Sequence, residues 1–547
     1  MLAEKLREAF GRFNAGDAAG TERLCGEILK QAPDNADALH LLGVVHLMSG
    51  NATDAVSLLN KAMAAKPEDA AILDNLAVAY LAAQQYPQAE AVIRKALSLG
   101  ASHGLLYMRL GLALGAQGKL AEAVDEFRIA AKRAPEDPVV HLNLGNALAE
   151  SGQADEAAAC YRRSIVLQPG FVDAHFNLGT LLMRGGRLDE AAAAYRSALT
   201  HAPDYADAHT NLGLVYAEQG RPEDAIACYR RALELAPAQL QAHNNLGNAL
   251  QAQGRLDEAA ACYEKAQAIQ PGHADAYLNM GNVRAKLGDF AAAQTLYEKA
   301  LALAPDSADV HLNLGRLQRV QGRHKEAFTH FRRALELDPK RADACSDIAI
   351  AYRDAGNFAE AEAYFKKAIA LDDHEPRYLY DFAELLKVQG RFDEAAALNE
   401  RALALKADFY PALGALIHLR QHMCAWDGIE KLWDRSRREA IGKAGSGISP
   451  FSIMSQPGSP QEQLACARAW AGQELAPLAA ERARLKFDFS KQRGAPGKLR
   501  IGYLSWDFHQ HATSYLIAEL FELHERKRFE IYAYSYGPDD GSAIRAR

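Results

Sequence analysis

One period governs this chain. A leucine-like anchor stands at Leu42, Leu76, Leu110, Leu144, Leu178, Leu212, Leu246, Met280, Leu314, Ile348 and Phe382, and every interval is 34 residues. Eleven repeats therefore run without an insertion across residues 36–409. A unit this short cannot bury an apolar face alone, so it must stack on its neighbours. With the anchor numbered as position 7 of its repeat, each other recurrent residue has a physical reason. Position 8 is Gly or Ala (Gly145, Gly179, Gly213), because only a small side chain lets two helices approach. Position 20 is alanine in all eleven repeats, from Ala55 to Ala395, for the same reason on a second helix. Position 24 is often aromatic (Phe127, Tyr161, Tyr195, Tyr229, Tyr263, Tyr297, Phe331, Phe365) and is expected to fill the space between repeats. Position 15 is glycine in ten of the eleven, which predicts a left-handed residue just past the first helix. A β-branched residue there should cost ~1 kcal/mol or more. Position 32 is usually proline, as at Pro135 and Pro237, and stops the second helix.

A helix-turn-helix unit with this period resembles the tetratricopeptide repeat. The resemblance implies a mainly α fold, a right-handed superhelix with a concave groove. Residues 1–35 are expected to hold a degenerate first repeat ending near Pro33. Residues 410–498 begin with a degenerate closing repeat, Leu416 in the anchor place, followed by linker and transition helices. A superhelix names an architecture and not a function.

Charge and cysteine content narrow the partners. The chain has 62 basic and 69 acidic residues, a net charge of −7, which disfavours a nucleic-acid coat. No apolar run is long enough for a membrane helix, and the opening MLAEKLREAFGRF lacks the apolar core of a signal peptide. Neither nucleic acid nor a membrane is an expected partner. None of the seven cysteines forms a CxxC pair, and Cys160, Cys228 and Cys262 recur at one repeat position, as small buried residues do. The expected setting is a reducing cytoplasm, with no metal and no resident cofactor.

Position 6 should face the groove. It holds Asn75, Asn143, Asn177, Asn211, Asn245, Asn279 and Asn313, then Asp347 and Asp381. Asparagine is a poor helix-interior residue, so this row needs an explanation. A primary amide donates and accepts, and so can pair with a peptide's own N–H and C=O. A ladder of such amides would hold an extended chain with little regard to its side chains. The other reading is that the amides bond between neighbouring repeats. Position 4 holds His141, His175, His209, His243 and His311. Equivalent helices in adjacent repeats lie ~10 Å apart, too far to share an ion at ~2 Å, so packing is expected of these histidines.

The end of the chain reads differently. Residues 442–460 are rich in Gly, Ser and Pro, and Pro460 opens an expected helix to about 484. Residues 499–505 and 529–536 read as strands, with Leu516, Leu520 and Leu523 at helical spacing between them. Strand-helix-strand is the start of a parallel α/β sheet, here an incomplete Rossmann-like unit. No GxGxxG follows the first strand.

These residues carry a second resemblance. Leu499-Arg500-Ile501-Gly502-Tyr503, Asp507-Phe508 with His511 and Thr513-Ser514, and Pro538-Asp539-Asp540-Gly541 resemble the start of the catalytic region of protein O-GlcNAc transferases of bacterial and Spindly type. Leu405-Lys406, Asp408-Phe409 and the Cys424–Trp426 pair resemble that family's join between repeats and catalytic part, and the asparagine row resembles its repeat domain. The resemblance implies a two-lobed GT-B glycosyltransferase whose first lobe begins at 499–547. It implies transfer of a sugar from a nucleotide-sugar, UDP-GlcNAc, to a Ser or Thr of a protein held in the groove, with inversion and without a metal. A homodimer through the repeat surface belongs to the same expectation. His511 matches the family's active-site histidine, as a base or as a contact to the reacting groups. Ala512, Tyr515 and Trp506 depart from animal members, which carry proline, a second histidine and a small polar residue there. Two strands and one helix cannot bury a sheet, so the expectation is a chain cut inside its catalytic domain and inactive by itself. The competing reading is a non-enzymatic repeat scaffold that docks partner proteins.

Overall fold

The structure is a computed structural model that describes residues 2–442, 448, 453, 455–475, 499–505 and 529–535. It divides into two compact units, 1–385 and 386–547.

The first unit is a stack of helix pairs. An opening pair, Leu2–Asn14 and Ala18–Gln31, precedes the pair Ala36–Met48 and Ala52–Ala65, and the 34-residue rhythm then continues to Phe358–Leu371 and the helix that begins at Pro376. First helices start where side chains of Asn35, Asp69, Asp137 and Ser307 accept hydrogen bonds from free amides of the first turn. They end where position 15 turns left-handed. From Gly50 to Gly390, ten position-15 glycines have φ between 70° and 79°. The eleventh occupant, Gln84, takes φ 58° without the benefit of lacking a Cβ. Gly16 does the same in the opening pair, with φ 78°.

Packing explains the small residues. All eleven position-20 alanines are fully buried. A Cβ added to Gly145 would stand 2.6 Å from Cε1 of Tyr161, and one added to Gly213 would stand 2.6 Å from Cε1 of Tyr229. The position-24 ring therefore lies against the first helix of its own repeat. It also meets the next repeat, as the sequence leads one to expect, where Phe365 stacks on Phe382 at 5.7 Å. A continuous apolar core runs through successive repeats from Ala55 to Val283.

From Leu2–Asn14 to Ala342–Asp354 each first helix touches the first helix of the next repeat, while second helices make no comparable approach to one another. Like elements crowd on the inside of a curved stack, so the first helices form the concave layer. Among the described residues no helix is long and apolar enough to cross a membrane.

The second unit contains the helices Phe392–Leu405, Tyr410–His422, Ile429–Gly442 and Pro460–Leu475. Tyr410, Leu413, Ile417, Ala440, Ile448, Ile453 and Cys466 form its core. Cys424 occupies the position-15 place of the repeat anchored at Leu416 and is left-handed there, φ 54°. Ser459 and Glu462 cap the last helix reciprocally: the Ser459 amide donates to the Glu462 carboxylate at 2.7 Å, and the Glu462 amide donates to Ser459 Oγ at 3.2 Å. Strands β1 (Leu499–Ser505) and β2 (Phe529–Ser535) pair in parallel, from Leu499 opposite Phe529 to Ser505 opposite Ser535. A parallel pair needs a crossover, which hairpin-joined strands do not. The connecting residues 506–528, with His511 among them, lie outside the described residues.

Candidate peptide groove

The concave layer presents one stripe of each first helix. In the helices Leu240–Ala252, Ala274–Lys286 and Ala308–Val320, positions 2, 5, 6 and 9 fall on one face, because they are spaced by three or four residues. Together they line a cleft of about 670 Å³. Asn245, Asn279 and Asn313 stand in it, with Asn244, Asn248 and Asn282 beside them. Asp275 and Asp309 make one edge acidic.

The seven ladder asparagines are all half-buried, but their partners differ. Asn313 donates to the Asp309 carbonyl of its own helix at 2.9 Å, and Asn143 to the Val139 carbonyl at 3.0 Å. Asn245 Nδ2 is shielded from solvent and has no hydrogen-bond partner, a donor that costs free energy while it stays unmet. Others reach into the preceding repeat. Asn75 Nδ2 donates to the His40 ring at 2.8 Å, Asn177 donates to Asn146 Oδ1 at 2.9 Å, and Asn143 Nδ2 also meets Met108 Sδ at 3.7 Å. The structure thus gathers Asn245, Asn279 and Asn313 in one cleft and ties Asn75, Asn143 and Asn177 to neighbouring repeats.

A second polar row escaped the sequence reading. Position 9 carries Asn146, Thr180, Asn248 and Asn282, and each meets the hydroxyl of the position-24 tyrosine in its own repeat. The Tyr161, Tyr263 and Tyr297 hydroxyls donate to the amide oxygens of Asn146, Asn248 and Asn282 at 2.9, 2.7 and 2.8 Å, and Thr180 lies 3.0 Å from the Tyr195 hydroxyl. Burial pushes these phenols up, Tyr161 to about 12, so they remain donors at neutral pH. An amide whose oxygen is engaged below keeps its N–H groups for the groove. The available signal was tyrosine rather than phenylalanine at position 24, with a polar residue at position 9.

The histidine row is structural. His141, His175, His209 and His243 each donate Nε2–H to the carbonyl of the proline six residues earlier at 2.9 Å, and His311 does so to Pro305 at 3.2 Å. A carbonyl accepts only, so that nitrogen carries a proton in every case. The row ties each first helix to the turn that precedes it.

Beyond Asn313 the position-6 row changes. Asp347 is buried, and the Arg316 Nε–H donates to it at 2.6 Å. Desolvation holds its pKa above the usual carboxylate range against the pull of Arg316. Asp381 is raised for the same cause, with Arg377 at 3.5 Å.

Comparison with known proteins adds what the geometry does not. Two tetratricopeptide-repeat families match at 13–103 and at 75–138 and 142–207. The C-terminal domain of cilia and flagella-associated protein 70 matches at 205–410. Glycosyl transferase family 41 matches at 450–547. A probable UDP-N-acetylglucosamine–peptide N-acetylglucosaminyltransferase of Arabidopsis thaliana is 30% identical over 143 residues, 24% of this chain and 14% of that protein. The UDP-N-acetylglucosamine–peptide N-acetylglucosaminyltransferase of Caenorhabditis elegans is 41% identical over 59 residues, 11% of this chain and 5% of that protein. The chain thus covers a small part of these relatives' length. Among solved structures, YrrB, described as a tetratricopeptide-repeat protein with an unusual peptide-binding site, is 26% identical with a TM-score of 0.31, over 34% of this chain and 96% of that one. The Cut9–Hcn1 assembly is 14% identical with a TM-score of 0.42, over 75% of this chain and 95% of that one. This chain combines tetratricopeptide repeats with a glycosyltransferase segment, and in that combination it resembles the O-GlcNAc transferases.

Proposed function

We propose that this protein is a protein O-glycosyltransferase whose repeat groove holds the acceptor. The observation that carries the reading is a segment similar to glycosyl transferase family 41, at 450–547, following an array whose inner face presents amides. An extended acceptor lies along Asn245, Asn279 and Asn313, each amide exchanging hydrogen bonds with the acceptor backbone for about 1 kcal/mol net. Such binding is weak per rung and broad in range, which suits an enzyme that modifies unfolded segments of many proteins.

The transfer itself is a single displacement. A Ser or Thr oxygen of the acceptor forms a bond to the anomeric carbon of the nucleotide-sugar. The bond from that carbon to the diphosphate breaks, the nucleoside diphosphate leaves with the electron pair, and configuration inverts. His511 stands with the reacting groups and takes or orients the hydroxyl proton, because imidazole titrates near neutral pH. UDP-GlcNAc is the donor, a reading supported by the names of the two curated relatives. The cytoplasm is the setting, supported by seven free thiols, two of which, Cys25 and Cys228, burial pushes up to about 11.

The test is genetic and chemical. Deleting the coding sequence from the source organism should remove O-linked N-acetylhexosamine from Ser and Thr, read by mass spectrometry of its proteins. Restoring the wild-type gene should return the modification, and restoring the His511→Ala form should not. Unchanged O-linked sugar after deletion would overturn the reading.

A further inference from the structure

Beside the amide cleft lies a second cavity, of about 410 Å³, which shares Asn282 and Asn313 with it. Its walls are different in kind. Ala285, Phe290, Leu317 and Val320 make it mostly apolar. Val320 is 58% exposed and Phe290 36%, so neither is spent on the core. Val320 sits at position 13, where the repeats carry charged residues (Glu150, Arg184, Lys286) and apolar ones (Met48, Val388) alike. What sets Val320 apart is that it stands with Phe290, Ala285 and Leu317 around one cavity next to the amides. Exposed apolar walls beside a polar ladder mark a surface that something covers. Two cations, Lys286 and Arg316, stand at this cavity, whereas Asp275 and Asp309 edge the amide cleft.

The geometry points to a side-chain subsite: this cavity receives one large apolar side chain, aromatic or branched aliphatic, of the polypeptide whose backbone lies on the amides. The inference rests on the peptide-groove reading and adds selectivity to it. Continuity carries the choice of occupant, since a chain on Asn279 and Asn313 must pass the cavity mouth. In an extended chain successive side chains point to opposite faces every ~3.3 Å, so alternate residues are delivered to the same wall. The amides read backbone and accept any sequence; the cavity reads a side chain and does not. Acceptors are then ranked by a single apolar residue at a fixed distance along the groove.

Fluorescence anisotropy with two labelled peptides tests this. One contains only Gly, Ser and Thr; the other replaces its central residue with Phe. The purified chain should bind the Phe peptide roughly tenfold more tightly, the gain from burying one aromatic side chain. In the Phe290→Ser, Val320→Asn double variant the ratio of the two affinities should fall to near one. Both sites are partly exposed, and far-ultraviolet circular dichroism should confirm a retained helical fold. Equal binding of both peptides by the wild-type chain, with both weakened by Asn279→Ala and Asn313→Ala, would overturn the subsite and leave the amide groove standing. Failure of either peptide to bind the wild-type chain would overturn the groove reading, and the subsite with it.

Discussion

The repeats that carry Asn245 and Asn279 and the repeat that carries Asp347 differ by more than one side chain. In the first group the position-6 amide is half-buried in a cleft, position 9 is an asparagine, and position 24 is a tyrosine whose hydroxyl holds that asparagine. In the repeat of Asp347, position 9 is Ile350 and position 24 is Phe365, so hydroxyl and amide are lost together. Its position-6 carboxylate is buried and clamped by Arg316. Between these repeats the three positions change together, and a tyrosine hydroxyl under Ile350 would be an unmet buried donor. The coupling is not general: the Asn313 repeat keeps its amide in the cleft with Arg316 at position 9 and Phe331 at position 24, and Leu214 stands with Tyr229. The comparison teaches that the groove under Asn245 and Asn279 has a polar support, whereas Asp347 is given over to ion pairing.

The largest effect expected separates the two stretches by binding. Asn245→Ala, Asn279→Ala and Asn313→Ala together should weaken capture of an unstructured peptide by about a hundredfold, at about 1 kcal/mol per rung. Asp381→Asn should leave the same affinity within twofold. Anisotropy titrations decide it, and equal losses from both changes would erase the distinction.

Next comes the support beneath the amides. Tyr297→Phe removes the donor to Asn282 and leaves a shielded amide oxygen, at a cost of about 1 kcal/mol in thermal or chemical denaturation. The corresponding ring in the next repeat is already Phe331. If Tyr297→Phe is neutral, the polar layer is not a support and the contrast between stretches is one of composition only.

How much of this was legible in the sequence depends on whether a residue's reason is local. The left-handed glycines at position 15 and the buried alanines at position 20 follow from the spacing, because a helix end and a close approach each demand one residue type. The asparagine row was also visible. Its division was not: that Asn177 turns to Asn146 while Asn245 Nδ2 is left unmet depends on residues in neighbouring repeats, some thirty positions away. The contact of the position-24 ring with its own first helix, beside the one it makes with the next repeat, was hidden for the same reason. The histidines illustrate the middle case, where the period exposes the row but only the folded turn brings a proline carbonyl under each ring. His511 lies outside the described residues, so its motif stands on the sequence and the proposed reaction alone.

A smaller effect sharpens the carboxylate side. Burial disfavours the charged form of Asp347, so the folded chain binds its proton more readily than the unfolded chain does. The sign follows: this group's contribution to stability grows as pH falls through its raised folded pKa and is complete below the ordinary carboxylate value. Asp347→Asn should remove that part of the pH dependence in denaturation curves from pH 7 to pH 4. Arg316 keeps Asp343 at 3.6 Å, so the change should shift stability by no more than about 1 kcal/mol.

The smallest effect tests whether the scaffold is indifferent to which stretch it supports. Gln84 holds a left-handed conformation that glycine holds in the ten other repeats, well away from Asn245 and from Asp347 in sequence. A side chain in that region costs about 1–2 kcal/mol in local sterics. Glycine would relieve this but would also give the unfolded chain more freedom to lose. The two terms leave Gln84→Gly about half a kcal/mol more stable. Denaturation midpoints resolve a change of that size, and peptide affinity should not move at all. A loss of stability would mean that Gln84 makes a contact worth more than its strain. A change in affinity would mean that the turns, which the amide and carboxylate stretches share, help to set the width of the groove.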